Sequence, residues 1–197
     1  MPDSTPQPPP PQSPTRHRKD SSWTGWRKNS SKSFGLEMQH PWSRHLLSRT
    51  KTIETRAYDL PPELVNERIR VLESRPGRDG VSSLPNTISI ADDGRSQIKC
   101  VGWVVFSRVV RYEDRDAFAR DEGKHLVTKD SGYAWKDGVT EAIYGWVVGE
   151  TGSYSDEGNE DGLAGVNRLV RRMRSLYELE WDDETAKSAL EEGEGVG

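Results

Sequence analysis

"QIKCVGWVVFSRVVRY", residues 97–112, is the densest run of β-branched and aromatic residues in the chain, and such residues favour a pleated, packed strand over a helix. It is too long to run flat across a small sheet. Gly102 sits inside it, and a strand glycine marks a site where an extra residue or a close backbone can be accommodated. The stretch is therefore read as a long strand that bends near Gly102, and it makes the fold mostly β.

Outward from this strand, "ERIRVLES" (67–74) and "EAIYGWVVGE" (141–150) read as further strands, and "FGLEMQ" (34–39) as a first one. "RPGRDGVSSLPN" (75–86) is a loop by its glycines and prolines. "HPWSRHLLSR" (40–49) reads as a short helix with proline near its first turn and Trp42, Leu46 and Leu47 on one side. "EDRDAFARDEGKHLV" (113–127) opens with the acidic residues a helix N-terminus favours and reads as a second short helix, weakened at Gly123. "NRLVRRMRSLYELEW" (167–181) fits two periods: Leu169, Met173 and Leu176 suit a helix, whereas Met173, Ser175 and Tyr177 alternate as in a closing strand. Short strands with one or two inserted helices predict an α+β chain dominated by β, arranged as a small barrel.

Of 197 residues, 32% are hydrophobic and 30% charged, which predicts one modest core. Residues 1–33 are rich in Pro, Ser and basic side chains without apolar periodicity, and are expected to be a disordered basic tail. The folded domain is then expected over 34–180, with an acidic loop insertion at 149–162 and an acidic C-terminal tail at 181–197. Charge is unevenly spread. Residues 1–56 carry 10 Lys and Arg against 4 Asp and Glu, although the net charge of the whole chain is −4. An acidic total therefore does not exclude a basic nucleic-acid site. One cysteine, Cys100, excludes an internal disulfide and a Cys-pair zinc site, and points to a reducing intracellular compartment. No apolar run is long enough to cross a bilayer, so the expectation is a soluble cytoplasmic or nuclear protein without a membrane partner; organellar targeting stays open.

"RTKTIETRAY", residues 49–58, places Lys51, Glu54 and Arg56 in a stretch that otherwise reads as a strand. Alternation sends Ile53 and Thr55 to one face and Thr52, Glu54 and Arg56 to the other, with Lys51 at the strand's start. Two prolines at 61 and 62 end it. Both signs of charge on one strand fit either a solvated sheet face, where a Glu54–Arg56 pair contributes little, or a polar groove.

Lys51-x-x-Glu54-x-Arg56, placed between a "QHPW" stretch with its short helix and the "GWVVFSRVV" strand, resembles the ASCH domain, a member of the PUA-like superfamily of small β-barrels. Arg49 stands where the family's signature has glycine, and a turn there needing positive φ would suit arginine poorly. The resemblance spans roughly residues 34–180. It implies a binding module for RNA or a modified nucleotide, with Lys51 meeting a phosphate or carbonyl oxygen, Glu54 accepting from a base or amide N–H, and Arg56 positioning Glu54 or holding a phosphate.

Beside that groove, Trp42 is a candidate to stack a nucleobase or, equally, to anchor the helix on the core. Tyr133 and Trp135, in the loop-like "SGYAWKDG", are candidate rim aromatics. Trp103 and Trp146 read as core, and Cys100 as a buried inert thiol. His40, His45 and His125 have no metal-ligand spacing, and no metal or cofactor is expected. Arg168, Arg171, Arg172 and Arg174 form a basic cluster that fits a phosphate backbone or the neighbouring acidic segments.

The same family resemblance allows an amidohydrolase acting on an acylated cytidine-like nucleoside, with Lys51 and Glu54 as the catalytic candidates. The threonine expected three residues after the lysine is Glu54 here. Thr52 and Thr55 are the substitutes at hand, and Glu122 an approximate counterpart of the family's glutamate. A third reading is a non-catalytic scaffold. Protein partners are not specified by any motif.

Overall fold

The protein is described by a computed structural model over residues 32–75, 84–90, 98–154 and 162–181. Residues 1–31 of the basic tail, most of the 75–86 loop, the centre of the acidic loop and the residues after Trp181 lie outside the described residues, while Ser33, expected in the tail, opens β1. Eight strands, β1 (Ser33–Gln39), β2 (Ile53–Arg56), β3 (Arg68–Ser74), β4 (Thr87–Ser89), β5 (Ile98–Tyr112), β6 (Ile143–Ser153), β7 (Val166–Met173) and β8 (Leu176–Trp181), build one mixed sheet in the order β2-β6-β5-β3-β1-β8-β7-β4. Three short helices, α1 (Trp42–Leu47), α2 (Arg115–Arg120) and α3 (Glu122–His125), decorate it. β2 and β4 end the strand order and are not paired with each other among the described residues, so the expected barrel is present as an unclosed mixed sheet. No helix among the described residues is long and apolar enough to cross a membrane.

β5 is the long strand expected, pairing with β3 on one side and β6 on the other. Its bend falls where Gly102 places it. The β3–β5 register shifts between Val71 and Leu72, which leaves Val101 as the extra residue of a bulge. A Cβ on Gly102 would stand 2.2 Å from the carbonyl oxygen of Gly152, so only glycine lets β6 approach at this point. Leu36, Val71, Val104, Phe106, Trp146 and Leu176 form the main core, and Trp146 meets Tyr58 and Phe106 edge-on at 5.4 Å each. A second cluster gathers Leu72, Ile98, Leu169, Tyr177 and Leu179, and a third packs Tyr112, Phe118, Val127 and Ile143 beneath α2 and α3.

Of the two periods that fitted 167–181, the strand is the one adopted, as the hairpin β7–β8, because the chain turns at Arg174–Ser175 and the arms pair with β4 and β1; three expectations change. The stretch 149–153 belongs to β6, and Trp181 to β8, so loop and tail begin later than composition suggests. The 113–127 helix is split at Asp121 into α2 and α3. Trp103 is half-buried rather than core, because its ring is covered by the Arg68 guanidinium at 3.9 Å.

Candidate functional site

The three charged residues of 49–58 do converge, through the end of α1. That helix stops at Ser48, and Arg49 takes φ +60° with its N–H on the Leu46 carbonyl, the left-handed position that usually follows a helix. Arginine thus occupies the conformation that glycine would adopt without strain. The reversal lets the Lys51 N–H bond the His45 carbonyl at 2.9 Å and sends the side chain under α1. There the ammonium lies 5.1 Å from the centre of the Trp42 ring.

β2 is an edge strand that pairs only with β6, opposing Glu54 to Trp146 and Arg56 to Tyr144. One oxygen of Glu54 is 3.3 Å from Lys51 Nζ and the other 3.0 Å from Arg56 Nη2. The side chains of Lys51 and Glu54 are only 5% exposed, and that of Arg56 21%. Burial works against the Arg56 charge, but the Glu54 carboxylate, with Tyr58, Tyr133 and Glu37, more than offsets it and raises the pKa. Arg56 Nη2 also donates to the Glu37 carbonyl at 3.2 Å. Two buried atoms of this group, Glu54 Oε2 and Arg56 Nε, have no hydrogen-bond partner, which in a native interior calls for an explanation.

The residues of this group border a cavity of about 490 Å³, lined by Trp42, Lys51, Glu54 and Arg56 together with Glu37, Tyr58, Arg171 and Arg174, with Tyr133 also in the lining. The size is within the range of small-molecule sites. Trp42 serves both roles considered for it, since it packs on the core cluster and lines the cavity. Thr55 borders the cavity too, although strict alternation turns it away; an edge strand can offer a flank as well as a face. Trp135 is not part of the lining and instead packs against Phe118, 6.3 Å between ring centres, so of the two loop aromatics only Tyr133 is at the site.

Surrounding contacts fix the walls. Glu73 of β3 accepts from Ser43 Oγ and from Arg44 Nε at 3.2 Å, with His40 Nδ1 at 3.5 Å, and so clamps α1 and Trp42. Burial raises the Glu73 pKa, but the Ser43 and Arg44 contacts outweigh it, and the net shift is downward. Behind β2, His125 is fully buried and stacked on Phe118 at 4.1 Å. Its Nδ1 accepts the Val127 N–H at 3.0 Å while Nε2 lies 2.9 Å from the Phe118 carbonyl, which can only accept. The ring is therefore the neutral Nε2–H tautomer, with burial lowering its pKa and Lys51 adding to the effect. Glu122 is exposed and absent from the lining.

On the opposite wall the basic cluster divides. Arg168 pairs with Glu180, and Arg172 with Glu178 and Glu180, on the outside of the hairpin. Arg171 and Arg174 reach the cavity. Arg171 donates to the carbonyls of Leu84, Pro85 and Arg174, and its Nη2 is 4.0 Å from Glu37 Oε2. Glu37, Tyr58 and Ser175 were not singled out by sequence reasoning. The one available signal was Glu37, a lone acid in the otherwise apolar "FGLEM". Among the described residues, no group of three or more His, Cys, Asp and Glu side chains is placed to hold a metal ion.

No family model matches the sequence, and no curated protein matches it. Solved structures do. The chain is similar to the ASCH protein of Zymomonas mobilis, with 13% identity, 82% of this chain and 95% of that chain covered, and a TM-score of 0.47. It is likewise similar to a Tyr-to-Phe variant of that protein, with 13% identity, 82% and 97% covered and a TM-score of 0.49. A Ser-to-Ala variant gives 12%, 82%, 96% and 0.48. Likeness at this level assigns no residue a role.

Proposed function

We propose that the protein is an ASCH-type binding module, a PUA-like barrel in descent if not in closure, whose polar cavity takes a nucleotide, either free and modified or as part of an RNA. The observation that carries the reading is the burial of Lys51 and Glu54, with Arg56 half-buried beside them, on a cavity wall. Removing three charges from water is costly, and apolar side chains of similar volume would pack the same space with no such penalty. Charges kept in the lining of a cavity suit a ligand that is itself polar or charged. In this reading Lys51 and Arg56 donate to ligand oxygens, Glu54 accepts from a base or amide N–H, and Trp42 and Tyr133 offer aromatic faces for a base.

The test is binding of the full chain to short single-stranded RNAs and to free nucleosides at two salt concentrations, beside Lys51→Ala and Arg56→Ala. Affinity for RNA that falls with salt and drops at least about tenfold in either variant supports the module. No binding by the wild type, or binding untouched by both substitutions, overturns it and leaves the scaffold reading. The border position of Thr55 keeps the amidohydrolase reading in play. Release of the acyl group from an acylated cytidine, lost in Lys51→Ala and in Thr55→Val, would establish it.

A further inference from the structure

Six charged side chains line the cavity, and their pairing is uneven. Glu54 is matched by Lys51 and Arg56, and Glu37 has the Arg171 guanidinium at 4.0 Å. Arg174 remains. Its side chain makes no hydrogen bond or ion pair among the described residues, and its one contact is with a ring, the guanidinium carbon lying 5.2 Å from the centre of Tyr58.

The turn that carries Arg174 is tied down. Ser175 Oγ and the Tyr58 hydroxyl share a buried 2.6 Å hydrogen bond, and the Ser175 carbonyl accepts the Glu37 N–H at 2.8 Å. The Arg174 carbonyl accepts from Arg171. Arg174 itself has φ +41°, a conformation glycine adopts freely and arginine only with strain. A strained residue with an unpaired charge, held at the rim of a cavity by bonds that all go through its backbone or its neighbour, is the arrangement in which strain serves a ligand.

We infer that Arg174 is a phosphate-holding residue of this cavity, so that the ligand is a phosphorylated nucleotide unit and not a bare nucleoside. This rests on the reading of the cavity as a nucleotide site and narrows it. The interior already supplies a matched set of donors and acceptors suited to a base or sugar. The rim supplies one uncommitted planar cation, whose fork of N–H groups fits a phosphate's oxygens. The cavity holds about one nucleotide by volume, and a free nucleotide and the phosphorylated end of a strand present the same chemistry there.

The experiment compares wild type, Arg174→Gln and Arg174→Gly for binding of the four common ribonucleosides, their 5′- and 3′-monophosphates, and an RNA trinucleotide with and without a 5′-phosphate. The expected result is a monophosphate bound about tenfold or more tightly than its nucleoside by the wild type. That preference disappears in both variants, while nucleoside affinity is kept. Preference for the free monophosphate or for the phosphorylated trinucleotide identifies the source. Equal affinity for nucleoside and monophosphate in the wild type, or equal loss of both in Arg174→Gln, overturns the role of Arg174 and leaves the cavity reading standing. Failure of every probe to bind the wild type overturns both. Arg174→Gly keeps the turn's φ accessible without strain, and a thermal midpoint at or above that of wild type separates loss of the preference from loss of the fold.

Discussion

The two walls of the cavity use arginine in opposite ways. On the β2 wall, Arg56 is half-buried and bonded to Glu54, so its charge is largely matched within the protein. On the β7–β8 wall, Arg174 is exposed and leans on Tyr58 with no ion pair among the described residues. A charge matched inside a low-dielectric wall fixes shape, and its removal is felt by the fold. A charge left unmatched at the rim costs the fold little and is available to a ligand.

The comparison breaks most visibly at Glu54. Glu54→Ala leaves Lys51 and Arg56 buried without their shared carboxylate, and the expected loss is about 3–5 kcal/mol of unfolding free energy. Arg174→Gln should change stability by no more than about 0.5 kcal/mol. Urea unfolding of the two variants beside wild type decides the matter. Equal losses would mean that both walls are structural, and a small loss for Glu54→Ala would mean that water already reaches the Lys51 pocket.

Each wall is also held from outside by one carboxylate, which predicts an acid response. Glu73 secures α1, and Glu178 binds Lys32 at 2.6 Å and Arg172 Nε at 2.6 Å beside the hairpin. For both, burial pushes the pKa up and the partners outweigh it, so the folded value lies below the ordinary 4.5. A group with a depressed folded pKa contributes stability that is present above its unfolded value and lost as pH falls through the folded value. Unfolding free energy should therefore decline as pH drops below 4.5. In Glu73→Gln the slope should be shallower, after an initial loss of about 1–2 kcal/mol at neutral pH from the broken Ser43 and Arg44 contacts. An unchanged slope would show that neither clamp titrates with unfolding.

Much of this contrast was legible in the sequence, and the reasons are local. The long strand β5 and its bulge beside Gly102 lie within a short stretch whose composition is decisive, whereas the charges of 49–58 fit a solvated face as well as a groove until the resemblance is weighed. The hairpin wall was not legible. "NRLVRRMRSLYELEW" satisfies helix and strand periods at once, and only pairing with β1 and β4 selects the strands. Arg171 then separates from Arg168 and Arg172 by the alternation of β7, and Arg174 by the turn it occupies, and both follow only once the segment is a strand. Trp135 failed as a rim aromatic for a similar reason. Its loop setting was read correctly, but Phe118, seventeen residues earlier in sequence, offers it a packing partner away from the cavity.

The finest distinction concerns two arginines that share a strained backbone. Arg49 has φ +60° at the end of α1 and Arg174 has φ +41° at the hairpin turn, and both are exposed. Only Arg174 borders the cavity. Replacing a non-glycine residue in the left-handed region by glycine relieves a steric cost of about 1 kcal/mol, partly offset by the greater freedom of the unfolded chain. Arg49→Gly and Arg174→Gly should therefore each raise stability by a few tenths to about 1 kcal/mol, an effect that a shift in thermal midpoint will resolve. Their ligand behaviour should diverge: Arg49→Gly leaves nucleotide affinity as it was, and Arg174→Gly lowers it. If Arg49→Gly weakens binding as much as Arg174→Gly does, the common factor is turn geometry, and the Arg174 guanidinium has no special part in holding an anion.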